Sequence, residues 1–442
     1  MITKKDILAV LVVVIVALLA RVLFLSYIPQ VVFDEVHFGK FVSAYCCTHE
    51  RFFDIHPPIG KLVIAFGAYL SGYNGLFPFE YIGQPFTNVP IAGIRLVPAL
   101  FGTVLAGVIF ILLRLMNVSR LFALLGGVAI ALDNALIVES RFILMDNILL
   151  VATFGTIASA IASIKVRSKL ASWIFVILTG ILAGASMGIK FTGLIAGGLV
   201  IILWIVEAWK KKRVVVASWA AKAIIVGVCA IVVYLGAWAI HFSILTLPGS
   251  GDVWGVPTGN FAQDIISIHQ EMISANYNLT AGHPYGSKWW TWPFMIRPVF
   301  YWQGNSGNQF VYLLGNPAVW WGGFIFFCIA MLAMIVSGIQ RKKISIKNSG
   351  YVWLMIVGYL WAYVPLMRVP RVLFLYHYLT PLVFSIIIAI WWMDKHVVRK
   401  KEFVITACIV IFLGFLYISP LTYGYPIPPF WQTMLFSIPS WR

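Results

Sequence analysis

Charge is what this sequence has least of. Only 11% of its 442 residues are Asp, Glu, Lys or Arg, and just fifteen are acidic. A soluble domain of this size cannot cover its surface with so few polar groups, so the bilayer must be its solvent. Cysteine is scarce too: Cys229, Cys328 and Cys408 lie inside apolar runs, and Cys46 adjoins Cys47. That usage offers no zinc spacing and no disulfide framework, and adjacent cysteines rarely bridge one another. Internal repeats and low-complexity linkers are missing as well, which argues against arrays and against the repeat symmetry usual in transporters.

What the chain does have is apolar residues, 61% of the total, gathered in long runs. Each run is near the roughly 20 residues that cross the hydrocarbon as a helix. The expected spans are 6–28, 92–113, 121–137, 144–164, 171–188, 191–209, 222–244, 317–338, 351–367, 372–393 and 403–419. The fold class is therefore an all-α integral membrane protein of about eleven spans, with residues 1–442 as one transmembrane domain. Lys4 and Lys5 precede the first run as in a signal sequence, but the run is long and no small-residue cleavage site follows, so it reads as an uncleaved anchor. Two polar stretches, 29–91 and 245–316, are too long to be turns and are the places to look for function.

A net charge of +17 invites a nucleic-acid interpretation until its distribution is considered. With the N-terminus inside, 20 of the 32 basic residues fall on cytoplasmic segments, among them Lys210, Lys211, Lys212, Arg213, Arg341, Lys342, Lys343 and Lys347. Only Asp6, Glu207, Asp394 and Glu402 offset them there. The surplus orients the protein by the positive-inside rule, sits well against lipid headgroups, and leaves the opposite face nearly neutral. No nucleic-acid partner is implied.

The other eleven acidic residues lie on that neutral face. Asp133, Glu139, Arg141 and Asp146 would each be costly at the bilayer centre, so they are expected around an aqueous mouth. The first loop opens with VVFDEVHFGKF, placing Asp34 and Glu35 just beyond the first span. A carboxylate held beside apolar surface gains basicity and suits proton abstraction from a hydroxyl, although an arbitrary Asp-Glu pair is more often a solvated cap. Next comes RFFDIHPPIGKLVIAFGAYL, where Asp54 and His56 precede twelve apolar residues, too few to span and better suited to lie along the interface with EVHFGKFVSAY. Hydrogen bonding within the loop is the plainer role for Asp54 and His56. Arg95, Arg141, Lys190, Arg368 and Arg371 face the same side; singly each would snorkel or pair, but together they suggest a phosphate site. The second loop carries an amphipathic AQDIISIHQEMISAN and the aromatic run SKWWTWPFMIRPVFYW, for which a membrane belt is the first explanation, with stacking on sugars or the lining of an acceptor groove as the others.

The ordered segments FDEVHFGKF, FFDIHPPIGKLVIA, RLVPALFGT, LDNALIVESRFILMDNILL, GIKFTGL, LLGNPAVWW and RVLFLYHYLTPLVF run from residue 33 to about 384. Together they resemble the protein O-mannosyltransferase family, polytopic glycosyltransferases of the GT-C type with interfacial helices in the first extracytoplasmic loop. The resemblance implies inverting transfer of mannose from a polyprenyl-phosphate-mannose donor to Ser or Thr of secreted or membrane proteins outside the cytoplasm, with coupling to the Sec translocon left open, and the shortness of the second loop points to a bacterial-type or archaeal-type member at the cell membrane. It puts the acidic pair on Asp34 and Glu35, with Asp34 the better base, and Arg95 near the carrier phosphate. His56, Arg141, Lys190, Arg371, His377 and Tyr378 become donor-binding candidates. No cofactor is fixed by it; a divalent cation stays open, with Asp34 and Asp146 as candidate ligands. The second loop, about 70 residues, leaves no room for the β-trefoil module of eukaryotic members. Two alternatives stand beside it: an aminoarabinose-transferase-like enzyme acting on a lipid or glycan, and, further off, a transporter.

Overall fold

The computed structural model describes residues 3–210, 216–278, 282–339 and 351–441. The basic residues Lys211, Lys212, Arg213, Arg341, Lys342, Lys343 and Lys347 lie outside these. Each of the eleven apolar runs is helical. The first gives α1 (Lys4–Val22), which starts at a capping box in which Thr3 and Asp6 exchange side-chain and backbone hydrogen bonds. Between it and the next run the first loop folds into α2 (Glu35–Ser43), a π-helical turn (Ala44–Thr48), β1 (Glu50–Phe52) and α3 (Ile59–Leu70). The Pro57-Pro58 pair sets the start of α3, the twelve-residue segment too short to span. Contrary to the expectation for neighbours, the sulfurs of Cys46 and Cys47 are bonded to each other within the π-helical turn.

There follow α4 (Ile91–Leu115), α5 (Arg120–Ala131), α6 (Asn134–Arg141), α7 (Asp146–Lys165), α8 (Lys169–Ile189), α9 (Leu194–Lys210) and α10 (Val216–Ile244). The expected span 121–137 is two helices, α5 and α6, bent by 52° at Leu132–Asp133. Arg21 and Asp133 explain the break. The Arg21 guanidinium, buried in α1, donates to the carbonyls of Ile130 (3.0 Å) and Ala131 (2.9 Å), satisfying the end of α5. Asp133 then caps α6 by accepting from Leu136 N at 3.0 Å.

The second loop holds β2 (Leu247–Gly251), α11 (Phe261–Asn278), β3 (Val299–Gln303) and β4 (Phe310–Leu313). β2 pairs in parallel with β1, Glu50 opposite Leu247, which ties the two large loops together; Arg51 reinforces the tie by donating to Asp252 at 2.7 Å. β3 and β4 form an antiparallel hairpin with a bulge at Tyr301, between the Phe300–Tyr312 and Trp302–Val311 pairs. Last come α12 (Gly323–Ile339), α13 (Val352–Tyr363), α14 (Leu379–His396), α15 (Lys400–Tyr423) and the short α16 (Pro429–Leu435).

Eight of these helices are long and apolar enough to cross a membrane unaided, and the bent α5–α6 pair would make a ninth. α1 and the stretch Val352–Arg368 fall outside that group, the former because Lys4, Lys5, Asp6 and Arg21 crowd its ends, the latter because it is short. α7 is the central helix, 94% buried, packed by α4 and α8; α10 and α15 are only 22% buried and turn Ile224, Val228, Ile409 and Leu413 outward. Apolar side chains with no protein neighbour on a peripheral helix belong against lipid.

Candidate active site

Phe33, at φ 47°, ends the lead-in to α2, and Asp34 occupies the N-cap position. Its carboxylate makes no cap hydrogen bond, and among the described residues it has no hydrogen-bond or ion-pair partner. Burial pushes its pKa up to about 7, against the opposing pull of Lys190; Asp146 and Asp54 add to the rise. A half-protonated, half-buried carboxyl with a free face is what a general base near neutral pH requires.

Glu35 is different, and so is Arg95. Both are completely buried. Arg95 Nε donates to Glu35 Oε1 at 2.8 Å and Nη2 to Oε2 at 2.7 Å, a bidentate pair. Nη1 also donates to the Ile28 carbonyl (2.8 Å) and Nη2 to that of Gln30 (3.0 Å), and the remaining carboxylate lone pairs accept from Val32 N (2.9 Å) and Ile143 N (3.0 Å). Every polar atom of the pair is thus engaged. The expectation that Glu35 takes part in catalysis and Arg95 holds a phosphate is corrected: they clamp residues 28–35 onto α4 and the start of the 143 loop. Arg141 is likewise withdrawn. It donates to the carbonyls of Arg21, Leu23 and Phe24, each at 2.8 Å, and stacks on Tyr423, so it caps the end of α1. Nor do Asp133 and Glu139 ring an open mouth. Asp133 also accepts from Asn316 N and Trp320 Nε1, and Glu139 accepts from Tyr301 Oη at 2.5 Å. For Asp133, internal donors do what water was expected to do.

Around Asp34 stand the groups that remain. Lys190, just past α8, donates to both oxygens of Asp146 at 2.8 Å. Lys61 of α3 is paired with Asp54 and donates to the His56 carbonyl at 2.7 Å. The His56 imidazole has no hydrogen bond among the described residues; burial, then Lys190, Lys61, Arg371 and His377, hold its pKa well below the ordinary value, so it is neutral at pH 7. Arg371 is half-buried and its guanidinium has no hydrogen-bond or ion-pair partner among the described residues. His377 stacks on Tyr376, ring centroids 4.6 Å apart, and on Trp292. Tyr378 points elsewhere, into an aromatic cluster with Trp320 and Tyr363, whereas Tyr376, which sequence reasoning passed over, lies 5.8 Å from Lys190 Nζ. Leu375–Tyr378 is a 3-10 turn, so successive residues point about 120° apart and only one of the two tyrosines can face the site.

Among the described residues no group of three or more His, Cys, Asp or Glu side chains could hold a metal ion. Asp146, one of the two candidate ligands, has both oxygens on Lys190.

One free carboxylate faces free and paired cations at the end of a helical membrane bundle, where the two polar loops meet. Residues 11–246 match the family model described as dolichyl-phosphate-mannose-protein mannosyltransferase, and residues 261–441 that of the C-terminal four-helix region of protein O-mannosyltransferase. The chain belongs to the protein O-mannosyltransferase family. Its curated relatives in the family include Protein O-mannosyltransferase 1 of Drosophila melanogaster, 36% identical over 237 residues, which are 51% of this chain and 26% of that protein. Another is the dolichyl-phosphate-mannose protein mannosyltransferase 4 of Candida albicans, 35% identical over 243 residues, 51% of this chain and 31% of that one. The chain thus spans about a quarter to a third of the length of these relatives. In fold it is similar to the Saccharomyces cerevisiae protein O-mannosyltransferase Pmt1-Pmt2 complex bound to the sugar donor, with a TM-score of 0.92 and 21% identity, covering 100% of this chain and 93% of that one. ArnT of Cupriavidus metallidurans in the apo state is more distant, with a TM-score of 0.53 and 15% identity over 94% of this chain and 64% of its own. The GT-C membrane architecture expected of the family is the one found.

Proposed function

We propose that this protein transfers mannose from polyprenyl-phosphate-mannose to Ser and Thr hydroxyls of polypeptide acceptors, with inversion at the sugar. The observation that carries this is the Asp34 carboxylate, poised near neutral pKa and without a partner among the described residues, inside a family whose named members are mannosyltransferases. In the reaction the acceptor oxygen forms a bond to the anomeric carbon as the bond from that carbon to the phosphate oxygen breaks. The hydroxyl proton passes to Asp34, and polyprenyl phosphate leaves. A single displacement needs one base and a stabilised leaving group, and it inverts the sugar. Arg371, the remaining N–H of Lys190 and the neutral His56 are the groups suited to the phosphate, while the rings of Tyr376 and His377 offer a stacking surface for the sugar.

On this proposal the N-terminus is cytoplasmic and the site extracytoplasmic at the cell membrane, in line with the basic surplus on the segments at the opposite ends of the helices. Acceptors would reach it as extended segments leaving the Sec translocon, since a hydroxyl must cross the membrane before it can be glycosylated there. The test uses purified protein in lipid, polyprenyl-phosphate-mannose and a Ser/Thr-rich peptide. Wild type transfers mannose; Asp34→Asn loses transfer while eluting as folded protein. Undiminished turnover in Asp34→Asn refutes the base, and transfer to lipid acceptors with none to peptide refutes the acceptor.

A further inference from the structure

Asp34 is reached through a residue whose backbone is strained. Phe33 lies at φ 47°, the left-handed region that a bulky side chain seldom occupies unless its surroundings hold it there. What holds it is Tyr301. The Phe33 N–H donates to the Tyr301 carbonyl at 3.1 Å, and the two rings stack with centroids 4.0 Å apart and planes 11° from parallel. Tyr301 can offer both its carbonyl and its ring because it is the extra residue of the bulge in the β3–β4 hairpin. A bulge leaves one residue outside the ladder and re-aims it, and here it re-aims Tyr301 toward Phe33. At its far end the phenol donates to Glu139 Oε1 at 2.5 Å, and both side chains are buried, Tyr301 completely. Among the described residues the other Glu139 oxygen has no hydrogen-bond partner, so there the pair is not a link in a longer hydrogen-bond network.

We infer that Tyr301, anchored on Glu139, is a positioning residue that fixes the orientation of the Asp34 carboxylate through the stacked and hydrogen-bonded Phe33. The inference rests on Asp34 being the base. It joins three distant stretches of chain, the first loop, α6 and the second loop, in setting one carboxylate. The second loop thereby governs the reaction without touching the reacting atoms.

The test measures transfer from polyprenyl-phosphate-mannose to a Ser/Thr peptide by the purified protein in lipid. Tyr301→Phe keeps the ring and the carbonyl and loses only the anchor. It is expected to lower kcat about ten- to a hundredfold, the scale on which misplaced catalytic groups act, with donor KM changed less than about twofold. Glu139→Gln, whose amide oxygen can still accept from the phenol, stays within about threefold of wild type, Glu139→Leu falls with Tyr301→Phe, and the double variant falls no further than either, since one bond is lost once. In an Asp34→Asn background Tyr301→Phe changes the residual rate no further. Wild-type kcat in Tyr301→Phe, with Asp34→Asn inactive, overturns this inference alone. Full turnover in Asp34→Asn overturns the base assignment and the inference with it. A rise in donor KM at constant kcat also overturns it, because Tyr301 would then serve binding.

Discussion

Arg95 gives the sharpest separation between a charge that binds substrate and one that holds the fold. Arg95→Leu would remove the bidentate pair to Glu35 and strand the carbonyls of Ile28 and Gln30. Glu35 would keep only the amides of Val32 and Ile143. Removing one partner of a buried ion pair typically costs about 3–5 kcal/mol, because the other charge stays behind without compensation. Both partners here are fully buried, so no solvent screening reduces the figure. Thermal unfolding in lipid–detergent micelles, followed by tryptophan fluorescence, should show a large drop in midpoint. Arg95→Lys should recover only part of it, since an ammonium cannot reproduce the planar fork. Glu35→Leu and Arg95→Leu together should be less damaging than their sum, with coupling of about 1–3 kcal/mol. For the fraction that remains folded, donor KM should move less than about twofold, as expected when no ground-state contact with the donor is lost. The opposite pattern would refute the clamp. If Arg95→Leu unfolds at the wild-type temperature while donor KM rises tenfold or more, on the scale of a lost charged hydrogen bond, Arg95 holds the phosphate after all.

Three further outcomes follow from the same site. The Asp34 pKa of about 7 makes turnover rise with pH as the carboxyl deprotonates through that value, and a pH–rate profile without an acid limb near 7 would contradict it. Because that folded-state pKa lies above the unfolded one, the group binds its proton more tightly when folded; its contribution to stability is complete below about 4 and is lost as pH rises through 7. Asp34→Asn should therefore unfold at a higher temperature than wild type at pH 8, with the gap closing at low pH. Arg371→Ala should raise donor KM about tenfold and weaken the dependence of KM on ionic strength, as loss of one charged phosphate contact would; an unaltered KM would remove Arg371 from the phosphate site.

Much of the framework was legible in the chain. Apolar runs longer than a bilayer is thick can be little else than helices, and the short run after Pro57-Pro58 announced its own inability to span. Asp34 stood out as a candidate because it directly follows an apolar span, but that its carboxylate would be left without a partner among the described residues could not be read from the chain. The sequence could not show which carbonyls a buried cation meets. Arg95 and Arg141 look alike as site charges until Ile28, Gln30, Arg21, Leu23 and Phe24 are seen to take their protons. Nor could spacing choose between Tyr376 and Tyr378 without knowledge of the 3-10 turn that separates them. Tyr301 was hidden in an aromatic run whose average character suggested a headgroup belt; only the bulge sets it apart.

The bend between α5 and α6 bears on how the protein is made. A chain threads into the bilayer from its N-terminus, and by the time Asp133 arrives, Arg21 is already in place to close the end of α5. The remaining partners of Asp133, Asn316 N and Trp320 Nε1, are about 180 residues away in the portion still to be synthesised. Until then the carboxylate has only its own helix start to satisfy it, in surroundings where an unpaired charge is costly. The joint is thus completed late, and the first half of the bundle stays provisional until the second reaches it. A chain stopped short of Asn316 therefore leaves the Asp133 carboxylate with the Leu136 amide alone.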